Sequence, residues 1–366
     1  MKRLILFFLS LSILFSTLKI GISRADWITV SGDVSGSWSA DTVLVVGEIR
    51  VPSGQTLQIE PGVQVRFTGR FKFIVQGRLI AQGTPADSIL FTRAYPTEES
   101  KWRGFRFDGA DNRSSLDYCR IEFARGDEGF PDVRGGGIWI NNCSPTIRRC
   151  RILYNYSRNG NLNGMGAGIC LNQNCFSMVE FCHILLNESD SGGGIAVGSG
   201  SSVLIRNNRI EYNQALSSGG GIYISADAEA TIYDNDIRFN SALGWGGGGI
   251  SLWSATWLYG TSSRVCGNLI IHNSASNAGG GIYSRYDGSM LLKNTLVHNQ
   301  AANGGGLYVL TFSNLPPTVH SSIFWGNIAT AGSQIHLDPT PGSTAIISYC
   351  DVQNGWTGTG NLNLNP

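Results

Sequence analysis

Charged residues make up only 14% of the 366-residue chain, and their formal sum at neutral pH is +1. Charge so sparse and balanced offers no basic surface for nucleic acid, and an apolar content of 42% is too high for a disordered chain. Paired CxxC spacing is missing as well: eight cysteines stand at 119, 143, 150, 170, 175, 182, 266 and 350, which speaks against a zinc site. Long apolar runs are confined to "LILFFLSLSILFSTL" behind "MKR", rather short for a membrane span. With small residues ending at Ala25, residues 1–25 read as an export signal, and the mature chain is expected to start near Asp26. An exported chain can keep disulfides.

Glycine is the residue in excess, 48 in all, and it recurs in register. "GGGI" stands at 135, "GAGI" at 166, "GGGI" at 192 and 219, "GGGGI" at 246, "GGGI" at 279, "GGGL" at 304 and a decayed "AGSQI" at 331, with 25 to 32 residues from one aliphatic to the next. A second register runs through Cys119, Cys150, Cys182, Asn208, Asn235, Asn268, Asn294, Ser321 and Cys350. Five residues after six of these positions stand Asn155, Asn187, Asn213, Asn240, Asn273 and Asn299.

Repeats of this length without helical periodicity point to a solenoid of strands. If each unit is one coil, equivalent residues stack at ~4.8 Å, and an Asn at a turn can donate to the Asn of the next coil. Cysteine fits the same slot as a small hydrophobe. The glycines mark a corner that needs positive φ or close backbone approach. The expected fold is therefore all-β: a parallel β-solenoid forming a single elongated domain. Residues 26–115 lack the glycine signature but keep strand alternation, as in "TLQIEPGVQVRF", and are expected to form an N-terminal cap and the first coils. Residues 116–366 carry the glycine and asparagine repeats.

The repeats resemble those of the pectin-lyase-like superfamily, and the resemblance implies a right-handed parallel β-helix, a three-sided β-solenoid. "GGGI" alternating with "RFN", "EYN" and "FWGN" resembles the GGA[I/L/V] and FxxN repeats of chlamydial polymorphic outer-membrane proteins. "SSIFWGNIATAGSQIH" with "ISYCDVQNGWTGTGNLNLNP" resembles the end region of bacterial choice-of-anchor Q proteins. That last resemblance implies a C-terminal anchor domain as an expected partner of the solenoid.

Enzymes of the superfamily imply acidic clusters on an outward strand face, holding calcium or forming a carboxylate pair. The best constellation for such a lyase or hydrolase is Arg209, Glu211, Asp234, Asp236 and Arg238. Signs alternate between neighbouring coils, so cross-coil salt bridges account for the same residues. His272 and His298 share a slot that other coils fill with Phe123, Tyr154, Leu186, Tyr212, Phe239 and Trp325, which indicates packing rather than metal binding.

Aromatics are more suggestive. Trp139, Tyr223, Tyr283 and Tyr308 follow the glycine corner at outward positions, and an insertion adds Trp253, Trp257 and Tyr259. Flat rings on rigid strands suit sugars. Insertions "RGDEGFPDV" and "YSRNGNLNGM" project from the first two repeat coils, and Leu269, Ile271, Val297 and Phe324 form an outward apolar strip. Cys143 and Cys175, at matching turns of neighbouring coils, are the one disulfide candidate. The resulting expectation is an exported, non-catalytic, cell-surface β-helix that binds an extracellular polysaccharide or surface glycan in adhesion. It requires no cofactor. A polysaccharide lyase, which would need calcium, and a structural stalk are the alternatives.

Overall fold

The computed structural model describes residues 26–254, 263–286, 288–311 and 316–366. Those residues form parallel strands only, wound into one right-handed solenoid. One column of 12 strands runs from Gly36–Trp38 to Ile346–Ser348. A second carries the strands after the first ladder, such as Arg209–Glu211 and Asp236–Arg238. A third carries the strands after the glycine corner, such as Ile222–Ile224 and Ile250–Trp253. The second and third columns merge in the early coils, where the single strand Thr42–Val51 pairs with both Gln64–Phe67 and Phe73–Val75. A short fourth column, from Arg125–Gly126 to Ser274–Ala275, lies between the second ladder and the glycine corner.

Alternation in each strand sends every second side chain inward, where like stacks on like. Ile205, Ile232, Val265 and Leu291 lie in register along the first column, all buried. Each such side chain contributes roughly 1.5–3 kcal/mol by leaving water. In the early coils rings replace aliphatics: Phe67 stacks on Trp102 at 4.3 Å, and Phe105 meets Phe73 and Phe91 at 4.9 and 4.8 Å.

Glycine has two distinct uses at the corner 219–221. Gly219 has φ of 67°, a left-handed conformation costly for other residues. Gly220 needs no special φ, but a Cβ there would come within 2.5 Å of the carbonyls of both Gly248 and Ser241. The other corners are also left-handed yet carry bulky residues: Tyr212, Phe239, His272 and His298 have φ between 53° and 56°. Their rings stack coil on coil at 5.0, 5.1 and 5.2 Å, which offsets backbone strain.

One segment departs from the expected register. Ser322, not Ser321, takes the ladder slot, its Oγ accepting the Asn294 N–H at 3.1 Å. Phe324 therefore points inward beside Leu296 and is fully buried, whereas Ile323 and Trp325 face outward. Gly326 takes the corner next to His298, and Asn327 continues the second ladder, accepting from Asn299 Nδ2 at 3.0 Å.

Candidate functional site

Of the aromatics expected to be exposed, Trp139, Tyr283 and Tyr308 are only 6%, 4% and 8% exposed, and Tyr223 and Trp253 are half-buried. They leave the solenoid core as expected, but Trp253, Tyr283 and Tyr308 pack on one another. Tyr283 stacks on Tyr308 at 5.4 Å and meets Trp253 at 6.5 Å, Tyr308 stacks on His336 at 5.3 Å, and the Tyr308 hydroxyl donates to Asp338. At the other end of the column Trp139 is covered, with its Nε1 buried. Trp257 and Tyr259 lie outside the described residues.

Between these packed ends the outward floor of the third column falls to small residues, Cys170 and Ala196 in register between Trp139 and Tyr223. A groove of about 520 Å³ opens beside these buried residues, where the strands end, lined among others by Phe130, Arg134, Asn172, Tyr223, Asp227 and Trp253. Phe130 comes from the first insertion, Arg134 follows it directly and Met165 ends the second, so both projecting loops contribute to one site.

One arginine, Arg134, lines the groove, and a second, Arg285, stacks on its lining ring Trp253. Arg134 donates from Nη1 to Asn172 Oδ1 at 2.7 Å and lies 4.9 Å from the Phe130 ring centre. Arg285 lies 3.9 Å over the Trp253 ring and 4.7 Å over Tyr286. Among the described residues neither arginine has a carboxylate partner, whereas Arg103, Arg125, Arg209 and Arg238 are all ion-paired. The Nε atoms of Arg134 and Arg285 and Nε1 of Trp139 are buried without a protein partner, so this face holds donors in search of acceptors. Burial pushes the Tyr223 hydroxyl above its ordinary range despite both arginines nearby.

The acidic constellation lies on the second column, away from the groove, except for Asp234, which occupies a left-handed corner. Its ion pairs run mainly along the strand rather than between coils: Arg209 with Glu211 at 2.8 Å, and Arg238 with Asp236. Among the described residues only His183 crosses coils, reaching Glu211 at 2.7 Å. Strand neighbours two apart share a face, which brings each pair together before any cross-coil partner is needed. Burial raises the Glu211 carboxyl, but hydrogen bonds from His183 and Arg209 outweigh it and leave the group below its ordinary range. A carboxylate held ionised this way is a poor general acid.

Cys143 and Cys175 are both free thiols, a correction to the expected disulfide, as are the other six cysteines. Burial keeps this pair protonated, pushing Cys143 up to about 11, and side chains stacked in parallel are badly aimed for a relaxed S–S bond. Among the described residues no three His, Cys, Asp or Glu side chains converge on a metal position.

The geometry is that of a right-handed parallel β-helix. Residues 99–258 match the family model described as a right handed beta helix region. Among solved structures, the chain is similar to a double mutant of the periplasmic alginate epimerase AlgG, with 14% identity and a TM-score of 0.35 over 90% of this chain and 79% of that one. It is also similar to a second AlgG structure, with 14% identity and a TM-score of 0.32 over 86% and 78% of the two chains. A search of curated proteins finds no match.

Proposed function

We propose that the protein binds a glycan chain carrying acidic groups in the third-column groove, as an exported, non-catalytic protein of the bacterial cell surface. The observation that carries this reading is the pairing of Tyr223 and Trp253, on adjacent coils, with Arg134 in the groove lining and Arg285 stacked on Trp253, neither of which has a carboxylate partner among the described residues. Half-buried rings offer apolar area to a sugar, and a guanidinium gives bidentate recognition of a carboxylate or sulfate. Export and a surface location rest on the character of residues 1–25, and adhesion follows as the use of a surface-displayed glycan site. Asp227 is the one carboxylate lining the groove among the described residues, and hydrolysis of a glycosidic bond ordinarily needs two.

The test is an array of acidic and neutral glycans probed with residues 26–366, with calcium present and unsaturated product followed by ultraviolet absorbance. Retention of acidic glycans without turnover is the expected result. Equal retention of neutral ones would remove the role of the arginines. New absorbance would favour the lyase alternative at Arg209, Glu211, Asp234, Asp236 and Arg238.

A further inference from the structure

The wall of the groove is a loop held by charge from below. The segment 127–134 carries three carboxylates, and each is bound by a base from an earlier strand or turn. Asp127 takes Arg103 at 2.9 Å and Arg125 at 2.6 Å as well as Arg70; Glu128 takes Arg103; Asp132 takes Lys72 at 2.8 Å. Beneath the loop lies Arg106, from the strand Phe105–Asp108 one coil earlier, only 5% exposed. Its Nη1 donates to the carbonyl of Gly135 at 2.7 Å and its Nη2 to that of Asp132 at 3.0 Å, with the Asp132 carboxylate 3.7 Å from Nε. One planar guanidinium thus grips the returning half of the loop on either side of Arg134.

We infer that Arg106 is a positioning residue for the groove: by tying Asp132 and Gly135 to the solenoid wall it fixes the loop that presents Phe130 and Arg134 to the ligand. The inference rests on the groove being the binding site. Phe130 is 65% exposed and does not hold the loop by its own packing. Uncharged contacts tie the loop to the following coil, with Val133 fully buried and accepting from Ser157 Oγ, Asn159 Nδ2 donating to the Glu128 carbonyl at 3.0 Å and Gly135 N–H to that of Met165 at 2.8 Å, whereas Arg106 and Lys72 tie its returning half to preceding coils. A wall already ordered in the free protein spares the ligand the ordering entropy of about 0.5–1.5 kcal/mol per immobilised side chain. Lysine cannot replace Arg106 fully, since an ammonium on a flexible stem lacks the fork that spans two carbonyls.

Arg106→Gln, Arg106→Lys and Asp132→Asn are to be compared with the unchanged protein by hydrogen exchange of peptides covering 127–135, by thermal melting, and by affinity for soluble polygalacturonate. Arg106→Gln is expected to speed loop exchange by at least ~10-fold and weaken polygalacturonate binding by a similar factor, with exchange in the coils from Ser202 onward unchanged. Arg106→Lys should recover part of both effects. Asp132→Asn, on the exposed side of the contact, serves if Arg106→Gln does not fold, and should loosen the loop in the same sense. Unchanged loop exchange in a folded variant overturns the inference, as does a loosened loop with full affinity. An unchanged protein that fails to bind any acidic glycan removes the groove reading instead, and loop exchange then still decides whether Arg106 anchors the wall.

Discussion

The side-chain oxygen of Asn240 accepts two hydrogen bonds from Asn213, one from its backbone N–H and one from Nδ2, each at 3.0 Å. Asn240 in turn donates from Nδ2 to the Ile210 carbonyl at 2.8 Å and to Asn273 Oδ1 at 3.0 Å. Every amide in the interior of the ladder therefore serves three coils, and a fault in one is shared by its neighbours.

Asn240→Asp tests that coupling without changing shape. The carboxylate can accept from Asn213 but cannot donate to Ile210 or Asn273, so each of these buried acceptors loses one bond, and Asn273 Oδ1 keeps only the backbone N–H of residue 240 while facing a negative charge. A loss of about 3 kcal/mol is expected in denaturant unfolding at neutral pH. It should shrink on acidification, when the protonated acid regains one donor.

Gly220→Ala and Gly129→Ala separate glycines that are needed for space from those that are not. A Cβ at Gly220 meets carbonyl oxygens of two coils, whereas nothing lies within 4 Å of one at Gly129. The first substitution should cost more than about 2 kcal/mol and the second less than about 0.5, measured as chemical stability.

Trp253→Ala and Arg134→Ala should each weaken retention of acidic glycans by about tenfold or more, near 1.4 kcal/mol, in a binding isotherm. Glu211→Gln, on a different column, should leave retention intact while lowering stability through loss of its contacts to His183 and Arg209.

Alkali should reveal the packed aromatic end of the groove face. Burial pushes the Tyr283 hydroxyl up to about 12 from an ordinary value of 10.0, so the folded state favours the neutral phenol. Its contribution to stability is complete below pH 10 and disappears as pH rises toward 12, roughly 2–3 kcal/mol in all. Denaturation midpoints between pH 9 and 12 should fall less steeply in Tyr283→Phe.

Thiol chemistry offers a further check. Alkylation of the unfolded, unreduced protein should label Cys143 and Cys175, and reductant should not change the melting temperature. In the folded state Cys170, pushed up to about 12 by burial, should resist alkylation.

The repeat was legible because a coil can satisfy its buried groups only with copies of themselves, so the fold writes its period into Gly, Asn and Ile. Register failed at Ser321 because two serines stand side by side and either can follow the strand; Asn327, one place later than expected, was the signal that decided it. Burial of Trp139, Tyr283 and Tyr308 was not legible, since alternation tells which side of a strand a residue takes and not what covers it. Arg106 carried no signal of its own: its partners are backbone carbonyls in a loop some 26 to 29 residues away. Gln334 was equally silent, though it closes the second ladder, accepting from Asn327 Nδ2 at 2.7 Å and donating to Gln353 at 3.0 Å.

A coil bonds only to the coil before and the coil after it, and the groove is floored by successive coils. Its length is therefore a whole number of steps of ~4.8 Å. Loss or duplication of one repeat would shorten or lengthen the track by a single step while leaving both ladders in phase. A family of such chains could match ligands of graded length by copying a cassette, without redesigning a single contact in the wall.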